Sequence, residues 1–210
     1  MSVKKIGTGR LSGLAGAFSK APGGLEPTLK KLMMRHEYLL NPAAGNTNVL
    51  AQKAADFDVD TGFTQPAHSR NLQVTFGAAW DGGNAVVTGI CADGVERSET
   101  FLAVAGGNTA VGTVAFAKLT RAYNTGTRGA GTCDIMLATD ATTVFGVCAR
   151  RISEFVKMSC AGTVEAIAAE SLVLGTWRPT TVPNAAKSYD IVYLCEEVGD
   201  LQTFEEEAEL

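Results

Sequence analysis

Charge is scarce in this chain. Only 19% of its 210 residues are Asp, Glu, Lys or Arg, below the roughly one quarter usual in globular proteins. Helical bundles and coiled coils draw heavily on Glu, Lys, Leu and Arg, and extended disorder needs high charge with few β-branched residues. Both classes are therefore excluded for most of the chain. Histidine is scarcer still, with His36 and His68 alone. Neither lies in a recognisable nucleophile–base context, and each is expected as a surface residue. The five cysteines (Cys91, Cys133, Cys148, Cys160, Cys195) are odd in number and contain no C-x-x-C pair. That leaves a disulfide scaffold and a zinc site without support. Small buried hydrophobes in a reducing compartment are the expected role.

Long apolar runs are also missing. Phe101 to Ala117 is interrupted by Gly106, Gly107, Asn108 and Gly112, so no membrane span is expected. Near the start, Leu11 to Phe18 follows Lys4, Lys5 and Arg10 as in a signal peptide. No small-x-small cleavage pattern comes after it, so a secretory leader is not expected.

What is abundant is Ala, Gly and Thr, more than a third of the residues together. The net charge of −4 conceals an uneven distribution. Residues 1–37 carry Lys4, Lys5, Arg10, Lys20, Lys30, Lys31 and Arg35 against two acids, and residues 196–210 carry seven acids and no base. Such ends are usually solvated, and the basic head is too weak for nucleic-acid binding.

The pattern divides the chain into an extended N-terminal arm and connector (1–64), a β domain (65–198) and an acidic C-terminal tail (199–210). One short helix is expected over Pro27–Tyr38, because Leu29, Leu32, Met33 and His36 share a helical face and Asn41-Pro42 would stop it. From Asn71 the signals become β. Strands are expected at Leu72–Phe76, Ala85–Cys91, Val95–Val104, Val114–Tyr123, Thr132–Ala138, Val144–Cys148, Ile152–Met158, Thr163–Ala168, Ser171–Trp177 and Tyr189–Cys195. Asp93-Gly94 between two β-rich runs marks a hairpin. Thr163–Leu174 carries alanines that would also suit a helix. The fold class expected is mainly β, an antiparallel sandwich or barrel-like domain preceded by the arm.

Four motifs touch on site chemistry. Asp56-x-Asp58-x-Asp60 has the spacing of a calcium loop, but Thr61 and Ala67 stand where Gly and Glu are required, so a solvated turn is expected. Gly126–Gly131 lacks the Gly-Lys-Ser/Thr ending of a phosphate loop and runs into a strand, so turn geometry is expected. Arg150-Arg151 is expected as a solvated turn. Trp177–Asn184 contains Pro179 and Pro183, which places it on an edge or surface.

The order of β segments carries a resemblance. Arg70-Asn71-Leu72-Gln73-Val74-Thr75 is followed by Val87-Thr88-Gly89-Ile90, Gly94 and Glu99-Thr100-Phe101. Ala115-Phe116-Ala117-Lys118-Leu119-Thr120 and Gly175-Thr176-Trp177-Arg178-Pro179-Thr180 come later. Over about residues 65–195 the series resembles virion structural proteins of tailed bacteriophages, of the capsid decoration (cement) or head-fibre kind. The resemblance implies a non-enzymatic protein without cofactor or metal, folded in a host cytoplasm and carried on the capsid surface. It implies that the chain stabilises the shell through the major capsid protein and through copies of itself as a homotrimer. Nucleic acid and membrane are not among the implied partners. Lys4, Lys5, Arg10, Lys20, Lys30, Lys31 and Arg35 would be the capsid contacts. A head–tail connector or tail component, or a carbohydrate- or receptor-binding β module on a fibre, are the alternative roles.

Overall fold

Alternation of buried and exposed residues along short β-branched runs gives strands rather than helices here. The computed structural model describes residues 33–198, apart from 55, 82, 105–106, 127–129 and 140–141. Its strands are β1 (Met33–Leu39), β2 (Asn48–Ala54), β3 (Asp58–Val59), β4 (Arg70–Phe76), β5 (Ala85–Cys91), β6 (Glu96–Phe101) and β7 (Thr109–Asn124). They continue as β8 (Thr132–Leu137), β9 (Phe145–Gly146), β10 (Ala149–Cys160), β11 (Thr163–Glu165), β12 (Ile167–Ser171), β13 (Thr176–Pro179) and β14 (Tyr189–Val198). Every strand pairing is antiparallel. The protein is mainly β, as its composition implied.

Two sheets form. The smaller has the order β1-β14-β10-β11, and the larger runs β12-β13-β9-β4-β7-β5-β6 with β2, β3 and β8 attached. Two apolar clusters form, one within the larger sheet and one that packs β9 and β13 of the larger sheet against the smaller. Leu72, Val74, Phe76, Val87, Phe116 and Ile135 centre the first. Phe145, Trp177, Tyr189, Ile191 and Tyr193 centre the second. The Asp93-Gly94 hairpin is present between β5 and β6, closed by Cys91 N–H donating to Val95 O at 2.9 Å.

β4 lies between the two clusters. It pairs with β7 on one edge and with β8 and then β9 along the other. All but one of its seven residues are buried, including Arg70, Asn71 and Gln73. Buried polar groups must find partners or cost several kcal/mol. Arg70 donates to the carbonyls of Ala43, Ala44 and Ala138 and to the Thr143 hydroxyl. Its guanidinium also stacks 5.7 Å from the Phe145 ring centroid, in the second cluster. Asn71 donates to Gly112 O and Thr142 O and accepts from Val144 N–H.

Several local expectations change. Residues 33–39 form strand β1, not the end of a helix, because they pair in full with β14. Residues 27–32 and the rest of the head lie outside the described residues. The connector supplies the unexpected strand β2, paired with β8, and also β3, paired with β7, where the Phe57–Val59 run suggests a short strand. Ala-rich Ile167–Ser171 is strand β12, held by β13. Trp177 is fully buried and pairs on both sides, with Glu170 and Phe145. Pro179 ends that strand, so its missing N–H interrupts nothing beyond it.

Gly89 sits where β5 and β7 shift register. A Cβ there would lie 2.5 Å from Lys118 O and 2.9 Å from a Phe116 ring carbon. Gly89→Ala is expected to destabilise the fold by about 1–3 kcal/mol through overpacking. Arg70→Ala, which strips the charged donor from buried carbonyls, should cost roughly 3–5 kcal/mol. Chemical denaturation of both variants checks these values.

Candidate interaction surface

The inner face of the small sheet is sealed by Tyr189, Ile191, Tyr193 and Cys195 on β14, all fully buried. Its outer face follows from the register. One row across the sheet is Tyr38, Asp190, Ser159 and Val164, the next His36, Val192 and Lys157, and the third Met34, Leu194 and Glu154. Met34 is 61% exposed, Tyr38 46%, Val164 61% and Val156, in a β10 bulge, 45%. Leu40, just past β1, is 60% exposed. These large apolar groups are interleaved with Glu154 and Lys157. That mixture is typical of protein-binding surfaces. A second exposed set, Leu102, Val104 and Val111, lies near the β6–β7 connection.

Polar contacts fix β1 in place. His36 Nε2 bonds Asp190 Oδ1 at 2.8 Å, and Asp190 accepts from Ser159. On the opposite face, Glu37 Oε1 accepts from the Tyr193 hydroxyl and from Cys148 N–H. Burial raises the Glu37 carboxyl above its ordinary value, opposed by those two hydrogen bonds and by the Arg35 charge. Burial first, and then the nearby Glu37 charge, pushes the Tyr193 hydroxyl up in turn.

Arg97 and Asp93 form a two-pronged ion pair at 2.6 and 2.8 Å. Their pair borders a cavity of about 470 Å3 with Arg150, Arg151, Leu172 and Val173. Arg150 Nε donates to Asp93 O, and Arg151 lies 3.9 Å from Glu196. The two arginines begin β10, not a solvated turn. Arg97 is paired with Asp93 and Arg151 lies beside Glu196, so the charges around this hollow are largely matched.

The other sequence candidates resolve simply. Asp58 accepts a two-pronged bond from Arg121, which holds its carboxyl below the usual range. Among the described residues no group of His, Cys, Asp and Glu is arranged to hold a metal ion. His68 contacts Leu40 O at 3.1 Å. Residues 127–129 of the glycine-rich loop lie outside the described residues. Cys91, Cys133, Cys160 and Cys195 are buried and Cys148 is half-buried. Burial pushes the Cys133 thiol up to about 12, which removes its nucleophilicity. No described helix is long and apolar enough to cross a membrane.

Of the basic residues expected to contact a partner, Lys4, Lys5, Arg10, Lys20, Lys30 and Lys31 lie outside the described residues. Arg35 is in β1, half-buried on the inner face beside Glu37 rather than on a projecting arm. The exposed apolar groups of β1 were missed because a helical face was read through them. Their alternation, Met34, His36, Tyr38 and Leu40, is the signal that would have found them. The chain matches no family model, no curated protein and no solved structure.

A carboxyl raised in the folded state stabilises most below its unfolded value, near 4.5, and loses that contribution as pH rises through the folded value. Wild type should therefore lose ground to Glu37→Gln between pH 4.5 and neutrality, since the Gln oxygen keeps both donors. Thermal melts across that range check this. A difference that stays flat with pH contradicts it.

Proposed function

We propose that this chain is a structural virion protein of a tailed bacteriophage. It decorates the outside of the capsid as a cement protein and stabilises the shell through the major capsid protein and copies of itself. The observation that carries this reading is the outer face of the β1-β14-β10-β11 sheet. It sets exposed Met34, Tyr38, Val156 and Val164 among a few charges, over a rigid buried layer. Such a surface gains by being covered, because apolar area removed from water contributes about 25 cal/mol per Å2.

Two further features support it. A second apolar set at Leu102, Val104 and Val111 suits a protein with more than one neighbour. The basic head precedes β1 directly in the sequence and offers a charge for an acidic shell surface. The fibre-module alternative draws less support: Trp80 and Trp177 are both buried and present no ring for a sugar to stack on.

Quantitative mass spectrometry of purified virions of the encoding phage tests the reading. Decoration requires the protein at hundreds of copies per particle. Absence from the particle, or a dozen copies or fewer, overturns it. Removal of residues 1–32, which leaves β1 whole, should lower occupancy on purified shells by about tenfold or more if the basic head grips the capsid. Unchanged occupancy assigns the contact to the β body alone.

A further inference from the structure

Every open edge of a β-sheet exposes unpaired backbone donors and acceptors, and natural proteins blunt such edges. Most edges here are blunted. β11 has three residues and β3 two. β2 carries two register shifts and the positive φ of Gln52. β12 has a shift between Ile167 and Ala169. β6 presents Glu96, Ser98 and Thr100 to solvent.

Among the described strands, β1 is the exception. It ends the small sheet, has seven residues and contains no Pro, Gly or Lys. Its pairing with β14 runs from Met33 to Leu39 without a bulge. Two of its outward side chains, Met34 and Tyr38, are large, apolar and exposed. Among the described residues no strand pairs with this edge, which is regular and partly apolar.

The sequence of β1 also matches itself. In an antiparallel pair centred on His36, Met34 faces Tyr38 of the second copy and Arg35 faces its Glu37. Met33 then faces Leu39. It is the one register that sets the two opposite charges of β1 against each other, and it pairs the two exposed apolar groups on the same face. Glu37 stays bonded to Tyr193 and Cys148 on the inner face, so the exposed Met34–Tyr38 pair carries the contact. Cross-strand side-chain pairs each add about 0.2–1 kcal/mol, and the twofold makes this one twice.

We infer that two copies of this chain join through β1, edge to edge and antiparallel about His36, to make one continuous eight-stranded sheet from the two four-stranded sheets. Each His36 keeps its bond to its own Asp190. The twofold join differs from the threefold assembly that the family resemblance implies. It also lays the apolar outer faces of both copies side by side as one broader docking surface. The inference stands independently of the virion reading, because it concerns the free protein without shells.

The test is made on the full chain in solution. Light scattering should give twice the chain mass at high concentration and a dissociation on dilution. Tyr38→Lys and Met34→Lys, both at exposed positions, should each weaken the dimer by about a hundredfold, with thermal melts showing the fold retained. Met34→Cys and Tyr38→Cys proteins, each unlinked when oxidised alone, should form a disulfide-linked dimer when mixed. A monomer at every concentration, or an oligomer indifferent to both lysine variants, overturns the inference. So does a mixture of the cysteine variants that stays unlinked. A variant that fails to fold leaves the decision to the cysteine pair.

Discussion

A single guanidinium ties the molecule together. Arg70 is buried at the start of β4, where a charge without partners would cost far more than a small domain can spare. It is retained because the chain brings carbonyls to it from two distant segments, residues 43–44 and 138, along with the Thr143 hydroxyl. The same group lies against Phe145, which belongs to the second apolar cluster. One side chain thus holds the β1–β2 connection and the β8–β9 connection at the boundary between two cores. Asn71 repeats the device one residue later, fastening residues 142 and 144 to β4. Phe145 also lies 5.4 Å from Trp177 and 6.1 Å from Tyr189, ring to ring, so the polar seam continues directly into an aromatic cluster.

This arrangement explains where interaction can occur. Arg70, Asn71 and Gln73 of β4 are buried and hydrogen-bonded, so the centre of the fold carries one charge and two amides. What remains outside includes a sheet face with exposed Met, Tyr and Val and one unblunted edge. The ion pairs Arg97–Asp93 and Arg121–Asp58 occupy other parts of the surface. A protein that carries its exposed apolar groups on a stiff antiparallel sheet is suited to be one member of an assembly. Little ordering entropy is then lost when the surface is covered.

Local sequence announced some elements and concealed others, for physical reasons. Ala85–Cys91 was legible to the residue, because β-branched residues ended at an Asp-Gly turn and both pairing partners lie nearby in sequence. β1 was not legible. Its strand state depends on β14, more than 150 residues away, and Leu29, Leu32, Met33 and His36 happen to fit a helical face. β12 was ambiguous because Ala168, Ala169 and Glu170 favour a helix in isolation, and pairing with β13 overrides that preference. Two prolines argue for an edge or surface at Trp177–Asn184, yet Pro179 falls on the last residue of β13 and Trp177 is buried. The candidate surface depended on β1 being a strand, so it stayed hidden with it. The basic residues of the first 37 positions are prominent in the sequence, and of that set only Arg35 lies in the described fold.

The central claim is that the β1 edge is held open for assembly. Hydrogen exchange read at the backbone amides of residues 33–39 tests it most directly, in dilute protein and in the concentrated or shell-bound state. The account predicts that the amides of β1 directed away from β14 exchange quickly in dilute solution and become protected on assembly, while those of β5 and β7 stay unchanged. Equal exchange of the β1 amides in the two states would contradict it.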